Sequence, residues 1–292
     1  SNESANLAID AASDAFKTWS KTGMSYRAEL ILKFRQEVIN KSAEIIDICT
    51  KEAGKTKPDA EAELDRAIQA LTHASGIQHF YPAHISRNVA GNIDIADMRY
   101  PIGVVAGVGP FNFPILIPIL HSSMALVTGN TYIAKPSEKV PSISRLYADI
   151  YKDIGLPDGC YNVINGGKDI VEYIVSHQKV DGLAFIGSTN AARSLKALGV
   201  KSNTKVQALG GGKNHMIVLP DADLDMAADA AVSASFGAAG QRCMAVSVVV
   251  PVGKETGDAI RTKITPMIEN LKIGPGLEKS SEISFLTFSA FK

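Results

Sequence analysis

Val104-Val105-Ala106-Gly107-Val108-Gly109-Pro110-Phe111-Asn112-Phe113-Pro114 takes the chain from a short apolar run through a Gly/Pro-bounded turn into a helical stretch, Pro114 to Thr128. An apolar run this short, without polar alternation, has the pattern of a strand covered on both faces. The rhythm recurs downstream. Strand-like runs at Tyr132 to Ala134, Tyr161 to Ile164, Leu183 to Ile186, Met216 to Leu219 and Val246 to Val250 are separated by amphipathic stretches. Those stretches are Ser142 to Ile154, Ile170 to Ser176, Ala191 to Leu198 and Leu224 to Phe236. The alternation predicts an α/β fold built on a parallel sheet covered on both faces, with ligands held in the loops after the strands. Upstream, apolar spacing of three and four predicts helices at Leu7 to Ser20, Tyr26 to Lys51 and Lys57 to Phe80. Asn92 to Tyr100 approaches alternation, as in a half-exposed strand or hairpin arm.

Composition narrows the function classes. The 292 residues are 46% apolar, with 30 basic and 30 acidic side chains, enough for two well-buried domains. Balanced charge gives no electrostatic reason to expect nucleic acid or an anionic membrane as partner, so a small molecule is expected. Cys49, Cys160 and Cys243 are dispersed, and the six histidines lack ligand spacing. Neither a disulfide framework nor a metal site is expected, and the composition suits a reducing, cytoplasmic compartment. Apolar stretches such as Ile115 to Val127 are broken by Pro118, His121 and serines, too short and polar to span a bilayer. No basic-then-apolar leader opens the chain.

The loops after the strands hold the chemistry. Gly107-Val108-Gly109 opens like a dinucleotide fingerprint, but Asn112 stands where the third glycine belongs. Asn112 can instead aim its amide at a developing oxyanion, or only shape the loop as an Asx turn. Lys135 and Glu138, three residues apart on a Pro-fixed turn, can grip two ribose hydroxyls or form a solvated ion pair. Gly187-Ser188-Thr189-Asn190 leads into a helix and offers a phosphate seat, or a plain cap. Cys243, in Gly240-Gln241-Arg242-Cys243, sits on a Gly-flanked turn where a thiolate can attack a carbonyl; the alternative is a buried structural cysteine.

In order, Pro110-Phe111-Asn112-Phe113-Pro114, Lys135-Pro136-Ser137-Glu138, Gly155-Leu156-Pro157-Asp158-Gly159, Phe185-Ile186-Gly187-Ser188-Thr189, Gly211-Gly212-Lys213-Asn214 and Gly240-Gln241-Arg242-Cys243 resemble the NAD(P)-dependent aldehyde dehydrogenase superfamily. The likeness runs from about Leu7 to Glu282. It implies a cofactor domain with a Rossmann-type parallel sheet over residues 1–209, with an oligomerisation arm near 84–100, and a second, partial α/β catalytic domain over 210–292. It implies further that Cys243 is the nucleophile, with the Asn112 amide and the Cys243 backbone N–H as oxyanion donors. Lys135, Glu138, Gly187, Ser188, Pro110 and Phe111 would hold NAD, the Glu138 carboxylate disfavouring a 2′-phosphate. A homodimer or homotetramer is the implied assembly.

Hydrolytic members of the superfamily carry a glutamate before the Leu-Gly-Gly-Lys-type motif. Here that position is Leu209, or Ala208 with a one-residue shift, and neither takes a proton. The thioester would await another nucleophile, such as coenzyme A. Gln207 to His215, Leu219 to Asp225 and Arg242 to Ala245 resemble the CoA-acylating methylmalonate/malonate-semialdehyde branch. Arg242 and Arg66 match that branch's arginines and would clamp a substrate carboxylate, although spacing alone allows Arg66 to be a surface charge. Hydrolysis to the free acid and an inactive, shortened scaffold remain the alternatives. Phe285 to Lys292 resembles the family's distant C-terminal stretch, so the sequence is expected to join separated segments or to be shortened.

Overall fold

A computed structural model describes residues 1–81 and 83–284. In chain order the elements are α1 (Asn2–Trp19), α2 (Met24–Asn40), α3 (Ser42–Ala53), α4 (Lys57–Ser75), β1 (His84–Ser86), β2 (Ile95–Asp97), β3 (Val104–Val108), α5 (Leu116–Val127), β4 (Thr131–Lys135), α6 (Ser142–Asp153), β5 (Tyr161–Val163), α7 (Lys168–Ser176), β6 (Gly182–Ile186) and α8 (Thr189–Ser202). There follow β7 (Lys205–Leu209), β8 (Asn214–Val218), α9 (Leu224–Phe236), β9 (Val246–Pro251), α10 (Lys254–Glu269), β10 (Ile273–Gly274) and β11 (Ile283–Ser284). They divide into two compact units. The first comprises Ser1–Ser42 and Leu64–Leu209; the second comprises Ala43–Glu63 and the chain from Gly210 onward.

The first unit is built on a five-stranded parallel sheet in the order β5-β4-β3-β6-β7, as the apolar rhythm predicts. The chain winds outward from β3 to one side, then returns to wind through β6 and β7, so the strand order reverses beside β3. That crevice is where such sheets bind ligands. Val104, Ala106 and Val108 of β3 face a core made with α1, α7 and α8, including Ile9, Ile174, Leu183 and Leu195. On the other face Phe34 stacks on Tyr151 at 3.8 Å, and Tyr161 packs between Tyr151 and Tyr132. Gly107 permits that second face: a Cβ there would lie 1.8 Å from the Tyr132 hydroxyl.

The expected helix from Tyr26 to Lys51 is two helices, broken at Lys41, where the Ser42 hydroxyl donates to the Ile39 carbonyl. A serine hydroxyl that bonds back to the preceding turn competes with helix continuation. The apolar rhythm continues through the break, because α2 buries Ile31, Phe34 and Val38 in the first unit while α3 buries Ile45, Cys49 and Ala53 in the second. The expected arm at Asn92 to Tyr100 contains β2, which pairs antiparallel with β1 in an exposed hairpin. Phe285 to Lys292 lies outside the described residues.

In the second unit β8 and β9 pair in parallel, with an irregularity after Asn214, and α9 and α10 pack Ala227, Ala228 and Ile260 against Val218. The segment contributed by Ala43–Glu63 carries a buried ion pair, Lys55 Nζ to Glu63 Oε2 at 2.5 Å, with the two side chains 2% and 1% exposed. Beside it the Cys49 thiol is pushed up to about 12, first by burial and then by the Glu63 charge. Gly276 closes over this pair's backbone: a Cβ there would lie 2.1 Å from the Lys55 carbonyl oxygen.

Candidate active site

The first unit places the candidate residues Asn112, Lys135, Gly187 and Ser188 in or beside the loops at the carboxyl end of its sheet. Between β3 and α5 runs a loop rather than the tight turn of a dinucleotide fingerprint, and Asn112 sits in it half-buried. The loop is tied to the neighbouring strand by the Gly109 N–H, which donates to the Lys135 carbonyl at 3.1 Å. Lys139 lies over the Phe111 ring, its Nζ 5.4 Å from the centroid. Lys135 ends β4 and is buried; its ammonium donates to the Gly166 carbonyl at 3.0 Å and stands 3.6 Å from the Glu138 carboxylate. Burial pulls the Lys135 pKa down, and Glu138 opposes that shift. The pair is therefore asymmetric: the lysine is buried and the glutamate is open to solvent. The solvated ion pair foreseen as an alternative fits only the glutamate.

After β6, the Gly187 N–H donates to the Leu209 carbonyl at 3.1 Å, and the Ser188 hydroxyl caps α8 by accepting from the Ala191 N–H at 3.3 Å. Ser188 Oγ is thus engaged as a cap, while the helix start it opens still carries the positive end of the α8 dipole. Between α5 and the ends of β6 and β7 lies a 280 Å³ cavity lined by Leu120, His121, Met124, Phe185, Ile186 and Leu209. His121 Nδ1 is buried and has no hydrogen-bond partner among the described residues. Burial pulls this imidazole from 6.5 down to about 4, so it is neutral at pH 7.

That shift carries a stability signature. Between pH 6.5 and 4 the unfolded chain binds a proton at His121 that the folded chain refuses, so stability falls as the pH drops through that window. Urea titrations at pH 7 and pH 5 are expected to show about 2 kcal/mol more loss in the wild type than in His121→Gln. Equal losses would contradict the burial argument.

The second unit holds Cys243. After α9 the backbone makes a turn over Gly237–Gly240 in which Ala238, Ala239 and Gly240 all have positive φ, at 50°, 52° and 69°. Two alanines in that region are strained, and only surrounding contacts hold them there. Two sets of contacts do so. The Asp59 carboxylate accepts the Ala238 N–H at 3.1 Å and pairs with the Arg242 guanidinium, and the Gln241 N–H donates to the Ala238 carbonyl at 3.0 Å. Asn214, where β8 begins, donates from its amide to the carbonyls of Cys243 at 2.9 Å and Ala245 at 3.0 Å. Cys243 itself is exposed, whereas Cys49 and Cys160 are buried. The buried structural cysteine foreseen as an alternative therefore describes the other two thiols.

The aldehyde dehydrogenase family model matches residues 1–287. The chain belongs to the aldehyde dehydrogenase family. A malonate-semialdehyde dehydrogenase of Pseudomonas aeruginosa is 43% identical to this chain over 269 residues, 92% of the chain and 54% of the relative. The crystal structure of a methylmalonate-semialdehyde dehydrogenase from Oceanimonas doudoroffii superposes with a TM-score of 0.94 at 39% identity, covering 97% of this chain and 58% of that one. A Sinorhizobium meliloti protein solved in complex with NAD gives 0.93 at 37% identity, with the same coverage. The chain thus spans a little over half the length of these relatives.

Of the two arginines expected at a substrate carboxylate, Arg242 pairs with Asp59, and Arg66 is exposed on α4 with a hydrogen bond to Gln69 at 3.1 Å. Sequence reasoning missed the tethers Asp59 and Asn214 and singled out no histidine. Asn214 carried a signal, as the last residue of the Gly211-Gly212-Lys213-Asn214 motif, but no spacing links Asp59 to a turn 179 positions away. No group of three or more potential metal ligands occurs among the described residues, and no described helix is long and apolar enough to cross a membrane.

Proposed function

We propose that this chain is part of an enzyme that oxidises methylmalonate or malonate semialdehyde with NAD and transfers the acyl group to coenzyme A. The observation that carries the reading is Cys243, an exposed thiol with its own carbonyl tethered by Asn214. In this reading the thiolate adds to the aldehyde carbon, forming a C–S bond, and the carbonyl oxygen becomes an oxyanion. The Asn112 amide and the Cys243 N–H donate to that oxygen. Bound NAD supplies the hydride acceptor. Collapse of the adduct leaves an acyl thioester on Cys243.

The residues at the sheet edge fit such a cofactor. The ammonium of Lys135 and the exposed carboxylate of Glu138 stand 3.6 Å apart, suited to a ribose diol. A carboxylate there also repels a 2′-phosphate, which favours NAD over NADP. Pro110 and Phe111 shape the loop at the strand-order reversal, and the α8 start, with Gly187 and Ser188, favours the negative charge of a pyrophosphate. The relatives named malonate- and methylmalonate-semialdehyde dehydrogenase support the substrate class. Arg242 and Arg66 are the cations assigned to the substrate carboxylate. For the second half-reaction, Ala208 and Leu209 end β7 and offer no base to activate water. A thiol then serves as acceptor: its sulfur attacks the acyl carbon and Cys243 leaves as thiolate. The exposed apolar side chains Ile85, Ile95, Met98 and Tyr100 in and beside the hairpin support a self-association arm.

The test is NADH formation from methylmalonate or malonate semialdehyde by the full-length protein, with and without coenzyme A. Turnover that requires coenzyme A and yields the acyl thioester is expected. Free acid formed at the same rate without it would place the protein among the hydrolytic enzymes.

A further inference from the structure

Asp59 reaches the nucleophile turn at two points. One carboxylate oxygen accepts the N–H of Ala238, first of the three left-handed residues, and the other pairs with the guanidinium of Arg242, next to Cys243. The carboxylate is well placed to do both. It lies in the first turn of α4, where its own N–H donates to the Thr56 hydroxyl at 3.3 Å, and its side chain is 13% exposed. The Arg242 guanidinium is flattened against Gly237: a Cβ there would fall 2.5 to 2.6 Å from three guanidinium atoms. The glycine thus opens the seat that the arginine fills, and the aspartate holds it there.

We propose that Asp59 is a positioning residue that sets both the nucleophile turn and the direction of Arg242. It acts through Ala238 on the backbone that presents Cys243, and through Arg242 on the cation assigned to the substrate carboxylate. This rests on the proposed role of Cys243, and deepens it: a helix outside the contiguous catalytic segment fixes the geometry of the reacting residue. Holding two alanines at positive φ requires compensating contacts, and a charge-assisted hydrogen bond to the first N–H is one of them. One ion pair also leaves the remaining guanidinium donors of Arg242 oriented for a second carboxylate.

Three variants separate the two contacts. Asp59→Ala removes both. Asp59→Asn keeps an oxygen for the Ala238 N–H but no charge for Arg242. Gly237→Ala displaces the guanidinium and leaves the carboxylate on Ala238. Hydrogen exchange at the Ala238 amide is expected to quicken about tenfold in Asp59→Ala and little in the other two. Iodoacetamide labelling of Cys243, the exposed thiol, is expected to change severalfold in Asp59→Ala. In the full-length enzyme, Asp59→Asn and Gly237→Ala are expected to raise KM for a carboxylated aldehyde about tenfold while leaving KM for propanal in place.

Unchanged exchange and labelling in a folded Asp59→Ala would overturn the backbone half. Equal KM effects on both aldehydes would overturn the Arg242 half. Exchange and labelling need no aldehyde, so a protein that turned over no semialdehyde would defeat the proposed function while these two readouts still judged Asp59. Should Asp59→Ala fail to fold, the near-isosteric Asp59→Leu removes the same acceptor and judges the backbone half, while Asp59→Asn and Gly237→Ala judge the Arg242 half.

Discussion

Cys243→Ala is expected to lower NADH formation by about 10⁴-fold or more, because the covalent route through a thioester disappears with the nucleophile. The same substitution is expected to abolish iodoacetamide labelling of the native protein. Cys49 and Cys160 are buried, and burial pushes both thiols up to about 12, so neither offers a thiolate at neutral pH. The two readouts together are decisive. Labelling that persisted in Cys243→Ala would mean that another thiol reaches solvent, and turnover that persisted would mean that the hydride leaves without a cysteine adduct. Stability should barely move, since an exposed side chain becomes a smaller one.

Breaking the Lys55–Glu63 pair is expected to have the largest effect on stability. Both side chains are almost wholly removed from water and are paired with one another at 2.5 Å. Glu63→Ala would take the 2.5 Å counter-charge from a buried ammonium, and Lys55→Ala from a buried carboxylate; each is expected to cost about 3–5 kcal/mol in denaturant titrations. The paired replacement Lys55→Met with Glu63→Leu should cost clearly less than either single change, because no charge is left uncompensated. If the single variants lost less than about 1 kcal/mol, the pair would be behaving as a surface pair. Glu63→Ala also removes a carboxylate that raises the Cys49 pKa, which makes that thiol a local reporter of the change.

These residues mark the limit of what the chain discloses as text. The strands β3 to β6 and the helices between them were legible, because both sheet faces are covered and the apolar runs are short and continuous. The edge strand β7 was passed over. Lys205-Val206-Gln207-Ala208-Leu209 alternates between half-buried and exposed positions, as an edge strand should, and lacks the apolar density of its neighbours. Helix α10 was passed over as well: it contains the poor helix formers Gly257 and Pro266, and only Thr256 and Ile260 are buried. At the candidate site, Cys243, Lys135 and the loops after β3 and β6 stood out from local motifs. Asp59 did not, since its partners Ala238 and Arg242 lie 179 and 183 positions away and nothing in local spacing encodes such a meeting. The His121 Nδ1, without a hydrogen-bond partner among the described residues, likewise belongs to a cavity, not to a pattern.

The second unit draws Ala43–Glu63 from one end of the chain and Gly210 onward from the other. During synthesis, helix α3 therefore leaves the ribosome with Cys49 and its charged neighbours still awaiting their cover, while the whole parallel sheet is made in between. A nascent segment of this kind shows apolar surface early and is a natural client for a chaperone. Its protection from proteolysis should arrive late, only once the strands after Gly210 have emerged, and in step with the ordering of the turn that Asp59 holds.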